Sequence, residues 1–144
     1  MKVKIVNSNL IRPLRHLVLR PNKPFSSTIY LKDNEKNTVH FAYIDNKKVL
    51  SCATFYPESH NLIKSKKSFR LRGMATHPDF RRIGYGKIIM IRSIDYLKSV
   101  NCEVIWCNAR ILAIDFYKSL GFEIHGNAFN IKDIGKHYFM SKNI

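Results

Sequence analysis

One stretch constrains this chain more than any other: Leu71-Arg-Gly-Met-Ala-Thr-His-Pro-Asp-Phe-Arg-Arg-Ile-Gly-Tyr-Gly-Lys87. Ser68 to Thr76 reads as an extended segment, and His77-Pro78-Asp79 ends it, because proline biases the residue before it away from helix. Two arginines and a Gly-x-Gly follow, then an unbroken amphipathic run from Lys87 to Val100. Ile88, Ile91, Ile94 and Leu97 recur at helical spacing, with Arg92, Asp95 and Lys98 off that stripe. The order is therefore strand, glycine-punctuated basic loop, helix. The first N–H groups of a helix lack intrahelical partners, and its dipole favours an anion there. Glycines at 84 and 86 let backbone approach such an anion closely. The competing reading is a surface turn with two solvated arginines.

The remaining sequence narrows what such a unit can serve. A chain of 144 residues with 45% hydrophobic and 12% aromatic content is expected to fold as a single domain over residues 1–144. No segment has the length of a membrane span and the first residues carry no signal-like apolar core, so a cytoplasmic setting without a membrane partner is expected. Cys52, Cys102 and Cys107 form no Cys-x-x-Cys pair, which indicates neither a disulfide framework nor a metal site. The formal charge of +15 favours polyanionic partners. Nucleic acid is the generic one, but no zinc-finger spacing, RNP-like aromatic motif or heptad accompanies the lysines, so it ranks second.

Taken in order, Lys2 to Val6 reads as a short strand. Asn7-Ser8-Asn9 offers an N-cap to a helix whose apolar stripe is Leu10, Leu14, Leu17 and Val18, with Pro13 in its first turn and its end near Arg20. Residues 21–38 form a long polar connection. Val39 to Ile44 and Val49 to Tyr56 are strands joined by a hairpin turn at Asp45–Lys48. Glu103 to Cys107 is a short buried strand, and Ile111 to Leu120 a helix closed by Gly121. Phe122 to Phe129 and Lys136 to Lys142 close the chain as a strand pair. This order predicts a mixed α/β (α+β) class: a central, mostly antiparallel twisted sheet flanked by helices.

Arg81-Arg-Ile-Gly-Tyr-Gly86 resembles the acetyl-CoA pyrophosphate motif of the GCN5-related N-acetyltransferases (GNAT), and Phe116-Tyr-Lys-Ser-Leu-Gly-Phe122 resembles that superfamily's later signature. Leu14 to Pro24, Leu71 to Thr76 and Trp106 to Arg110 look like the bacterial glyphosate N-acetyltransferase group, a likeness running from about Leu14 to the C-terminus. The resemblance implies the acyl-CoA acyltransferase fold, with acetyl-CoA as cosubstrate and no metal. It implies cofactor binding by Met74, Ala75 and Thr76 along the pantetheine arm, and by Arg82, Ile83, Gly84, Tyr85, Gly86 and Lys87 around the pyrophosphate. Asn108, beyond the strand that holds Trp106, is expected to line the pantetheine channel. The 21–38 connection would cover the acceptor.

By the same likeness His137 is the expected general base, and Lys136 stands where that group usually has a proline, which bears on the pH optimum. Tyr117 either assists the leaving thiolate or packs in the core. Arg20, Arg72 and Arg110 would clasp an acidic acceptor, the competing reading for each being an ion pair with Asp33, Glu58 or Asp115. The other histidines (His16, His40, His60, His77 and His125) read as structural or solvated. The expected activity is acetyl transfer to the amine of a small anionic acceptor, an amino acid or aminophosphonate. A protein or peptide amine acetyltransferase and a non-catalytic nucleic-acid-associated protein are the alternatives. Oligomeric state is left open by the sequence.

Overall fold

The computed structural model describes residues 2–144. Seven strands form one sheet in the order β1-β2-β3-β4-β5-β7-β6, flanked by helices. The elements are β1 (Val3–Val6), α1 (Ser8–Leu19), β2 (Val39–Asp45), β3 (Lys48–Pro57), β4 (Ser68–Thr76), α2 (Tyr85–Ser99), β5 (Val104–Arg110), α3 (Ile114–Ser119), β6 (Glu123–Ile131) and β7 (Gly135–Asn143), with short 3-10 turns at Phe25–Thr28, Pro78–Phe80 and Ile111–Ala113. The pairs β1–β2, β2–β3, β5–β7 and β6–β7 are antiparallel, whereas β4 and β5 run parallel. The chain divides into two compact units, Met1–Tyr56 with Leu71–Leu97 and Pro57–Arg70 with Lys98–Ile144.

In the first unit the two faces of β2 and β3 separate by strand alternation. Ala42 and Cys52, opposite each other, pack with Ile11 and Leu14 of α1 and with Ala75 of β4. Phe41 points the other way, edge-on to Phe55 at 5.9 Å and to Tyr96 of α2 at 5.7 Å. The hairpin between β2 and β3 turns on Asn46 and Lys47, both at positive φ (48° and 62°), the twist-matched two-residue turn.

Both long helices bury a stripe that only partly matches the expected one: Leu14 and Leu97 are buried and Val18 packs against the core, but the other inward residues differ. Asn7 caps α1 through its side chain, 2.8 Å from Asn9 N. The helix buries Ile11, Leu14 and Arg15, while Leu10 and Leu17 are 47% and 48% exposed. Pro13 lies inside the helix rather than in its first turn, so one backbone bond is lost there. In α2 the inward face is Gly86, Ile89, Met90, Ser93 and Leu97, and Ile88 and Ile91 face outward. Small residues at 86 and 93 conceal that stripe from a hydrophobicity reading; Ser93 Oγ is satisfied by donating to Ile89 O at 2.7 Å.

In the second unit β5 is longer than expected and carries Asn108, Ala109 and Arg110 within it. Trp106 and Phe139 tilt against each other at 5.6 Å, and the Trp106 indole N–H donates to Glu58 O at 2.9 Å. Tyr117 is buried between Phe116 and Phe122.

Candidate active site

The loop before α2 has the backbone that an anion cradle requires. The first helical bond runs from Ile88 N to Gly84 O at 3.0 Å, so the N–H groups of Tyr85, Gly86 and Lys87 precede any intrahelical acceptor. Gly84 sits at φ +108°, and a Cβ built there would meet nothing within 4 Å. The glycine thus serves a left-handed backbone facing open space, not tight packing. Arg82 also has positive φ, +62°. Tyr85 turns its ring away onto Tyr43 at 4.4 Å. Free N–H groups, open space and flanking arginines are what the diphosphate of acetyl-CoA needs. Upstream, Met74, Ala75 and Thr76 end β4, where Ser51 Oγ lies 3.0 Å from both Ala75 O and Thr76 Oγ1.

Arg72 and Arg20 belong to this same unit. Arg72 lies in β4 with its guanidinium 4.2 Å from the centre of the Tyr30 ring. Among the described residues no carboxylate pairs with it. Arg20 follows α1 as its C-cap, and its Nε is buried without a hydrogen-bond partner. Two of the three acids expected to compete for these arginines are paired elsewhere. Asp33 binds Arg15, and Glu58 binds Arg70 at 3.2 Å.

The Arg15 network is the largest feature that the sequence concealed. Arg15 is 0% exposed and grips Asp33 with both terminal nitrogens, at 2.7 and 3.0 Å. It also donates to Thr28 O at 2.8 Å and Thr54 Oγ1 at 2.7 Å. Burial pushes the Asp33 carboxyl upward, but the Arg15 bonds and the Tyr30 N–H outweigh it and hold the group below its usual range. His40 completes the set, with Nε2 2.9 Å from Asp33 O and Nδ1 2.7 Å from Thr54 Oγ1. A carbonyl only accepts, so Nε2 carries the proton and the threonine hydroxyl donates to Nδ1. Burial lowers the pKa of His40, consistent with that neutral form. The Arg15 guanidinium also stacks on Tyr30 at 3.9 Å, the ring that Arg72 touches. These contacts pin the 21–38 connection to α1, β2 and β3. A pattern of Arg, Asp and His at non-helical spacings gave no local signal for it.

In the second unit, His137 on β7 is directly opposite Arg110, the last residue of β5. Opposed residues of an antiparallel pair share a face, with Cβ atoms about 5 Å apart. His137 is buried, and its Nδ1 lies 2.8 Å from Gly135 O. That bond fixes the tautomer: Nδ1 is the donor, and in the neutral ring Nε2 holds the lone pair. Among the described residues Nε2 has no hydrogen-bond partner. Phe129 stacks against the imidazole at 6.1 Å. Tyr117 keeps its proton, because burial raises its pKa well above normal, with Cys107 adding to the rise and Arg110 opposing it. Its hydroxyl makes no hydrogen bond to the described residues. Asn108 lies inside β5, not beyond it, opposite Phe139. It lines a cavity of about 330 Å³ with rings of β6 and β7.

Among the described residues no group of three or more His, Cys, Asp or Glu could hold a metal ion, and no helix is long and apolar enough to cross a membrane. The three cysteines are free and buried.

Comparison with known proteins agrees with this architecture. The chain is 29% identical, over its full length and 97% of the other protein, to the uncharacterized N-acetyltransferase YitI of Bacillus subtilis (strain 168). Among solved structures, an aminoglycoside 6'-N-acetyltransferase complexed with coenzyme A superimposes with TM-score 0.79 at 12% identity, covering 99% of this chain and 97% of that one. The ribosomal-protein-S18-alanine N-acetyltransferase of Escherichia coli superimposes with TM-score 0.74 at 20% identity, covering 99% and 92%. A sequence profile of the Acetyltransferase (GNAT) family matches residues 10–122. With the sheet order, the open helix start and this match together, the chain belongs to the GNAT family and is an N-acetyltransferase that draws its acetyl group from acetyl-CoA.

Proposed function

We propose that the protein acetylates the amine of a small acceptor that also bears a carboxylate or phosphonate, with His137 as general base. The observation that carries this reading is the state of His137. Its Nδ1 is committed to Gly135 O, its Nε2 has no hydrogen-bond partner among the described residues, and a guanidinium-bearing residue, Arg110, is opposite it in the ladder. Acetyl-CoA supplies the activated acetyl group as a thioester. As the amine nitrogen bonds to the carbonyl carbon, Nε2 accepts its proton, and the C–S bond breaks. The family resemblance assigns a backbone N–H of the Met74–Thr76 strand to the carbonyl oxygen, and assigns Tyr117, which burial keeps protonated, to hydrogen-bonding or protonating the departing thiolate. By the same resemblance Arg20, Arg72 and Arg110 clasp the anionic group; among the described residues Arg20 has a buried Nε without a hydrogen-bond partner and Arg72 pairs with no carboxylate. A guanidinium binds carboxylate or phosphonate through two parallel bonds. The likeness of Leu14–Pro24, Leu71–Thr76 and Trp106–Arg110 to the glyphosate N-acetyltransferase group points the same way, without making glyphosate the natural acceptor.

The test has two parts. His137→Ala should lower kcat by roughly 10²–10⁴-fold, with acetyl-CoA affinity little changed. Full activity of that variant between about pH 6 and 9 would remove His137 from the mechanism. A screen of acetyl-CoA-dependent thiol release should find amino acids or aminophosphonates ahead of polyamines and lysine-rich peptides. The opposite ranking would replace the acidic acceptor with a protein amine.

A further inference from the structure

The cavity in the second unit adjoins the residues that would perform the chemistry above, and its lining includes Asn108, which lies inside β5 and is read as part of the acceptor side instead of the pantetheine channel. Asn108 and Phe139 are opposite each other in the β5–β7 ladder, two residues from Arg110 and His137 respectively. Alternation keeps all four on one face, with about 7 Å between the successive pairs. Phe129 is a shared wall, lining the cavity on one side and stacking on the His137 ring at 6.1 Å. The space exists because β6 bulges: His125 is registered with Phe139 and Phe129 with His137, so four steps along β6 match two along β7. Gly126 turns the bulge at φ +79°. Bulges of this kind re-aim side chains beside functional sites.

The lining has a definite chemical character. Rings form its walls: Phe129, Phe139, and His60 stacked on Phe139 at 4.2 Å. Burial, and Arg70 beyond it, lower the pKa of His60, so this wall is neutral at neutral pH. Asn108 and Asn127 contribute amides, and His125 an imidazole whose Nε2 is 2.7 Å from Ser141 Oγ. Among the described residues no carboxylate, ammonium or guanidinium lines it. A charged group placed there would lose its water without gaining a partner. Flat apolar matter with a polar edge is what stacked rings and two amides accommodate. The volume, about 330 Å³, lies within the range of small-molecule sites.

We propose that this cavity is a side-chain pocket for the acceptor, so that the preferred acceptors are acidic amines carrying an uncharged aromatic or heteroaromatic ring. The proposal rests on His137 acting on the amine, and it narrows that reading from acidic amines in general to those with a ring.

The experiment compares kcat/KM for phenylalanine and alanine as acceptors in the wild type and in Asn127→Phe, which fills the cavity. A ring seated in such a pocket should favour phenylalanine by at least about tenfold. In Asn127→Phe the ratio should fall to within about twofold of unity, a readout insensitive to any loss of folded protein. A wild-type ratio near one, or a ratio that survives the filling, overturns the pocket. A second arm works without turnover. Trp106 is the only tryptophan and tilts onto two rings of this group, His60 at 4.8 Å and Phe139 at 5.6 Å. Its fluorescence should respond saturably to N-acetyl-phenylalanine, and several-fold more weakly in Asn127→Phe. If no amine is acetylated, the catalytic reading fails, while a saturable response that the filling weakens still supports the ring pocket. No response, or one the filling leaves intact, overturns it.

Discussion

Arg15 is a cation shut off from solvent, and its stability rests on geometry. Two nitrogens meet two oxygens of Asp33, and Thr28 and Thr54 take the remaining terminal donors. Removing one partner of a buried pair strands the other charge and typically costs about 3–5 kcal/mol, whereas replacing both by apolar groups is often close to neutral. Asp33→Ala should therefore lower unfolding stability by about that amount in urea titrations, and a protein with both Arg15→Met and Asp33→Leu should recover most of it. An additive double variant would mean that the two charges do not stabilise each other. At this scale the sequence was least informative. The partners lie 18 positions apart, and an arginine on a helix reads as solvent-facing until its acid is found. Asp33 accordingly had been a candidate neutraliser of Arg20 or Arg72, and its engagement with Arg15 takes it out of that role. His137, by contrast, was singled out by the family resemblance; its tautomer had no sequence signal, because it depends on where Gly135 O points.

Elements were easier to anticipate than the faces they present. Ser68–Thr76 matches its expected bounds, and the Asp45–Lys48 turn forms as its composition suggests, because alternation and turn residues are local signals. The helix faces of α1 and α2 were offset from the leucine and isoleucine positions, since one buries an arginine and the other a glycine and a serine. β5 extended three residues further because its end is set by pairing with β7. The start of α2 has two constraints acting together. Gly86 is on the buried face of the helix, and its N–H is among those left open at the terminus. A β-branched side chain there should move backbone away from the pyrophosphate, so Gly86→Val should weaken acetyl-CoA binding by at least tenfold, roughly the loss of one charge-assisted bond. Calorimetry on a variant with a native circular-dichroism spectrum is the check, and unchanged affinity would contradict the cradle.

For the whole molecule, charge and thiols were both visible in composition, but only the thiols needed the fold to be interpreted. Cys52 lies in β3, Cys107 in β5 and Cys102 just before β5, and each is buried. Burial pushes Cys52 and Cys107 up to about 12 and raises Cys102, so none is present as a thiolate near neutrality. A chromogenic disulfide reagent should find close to zero reactive groups in the folded protein and three after denaturation, the number in the sequence. Rapid modification of the native chain would show that one of the three is accessible. Each turnover of an acetyl-CoA-dependent enzyme also releases a free thiol as product, and thiols exchange into accessible protein cysteines through their thiolates. With its own sulfurs sealed and protonated, the folded enzyme offers its by-product nowhere to attach. It should therefore avoid capture as a mixed disulfide when coenzyme A accumulates under oxidising conditions.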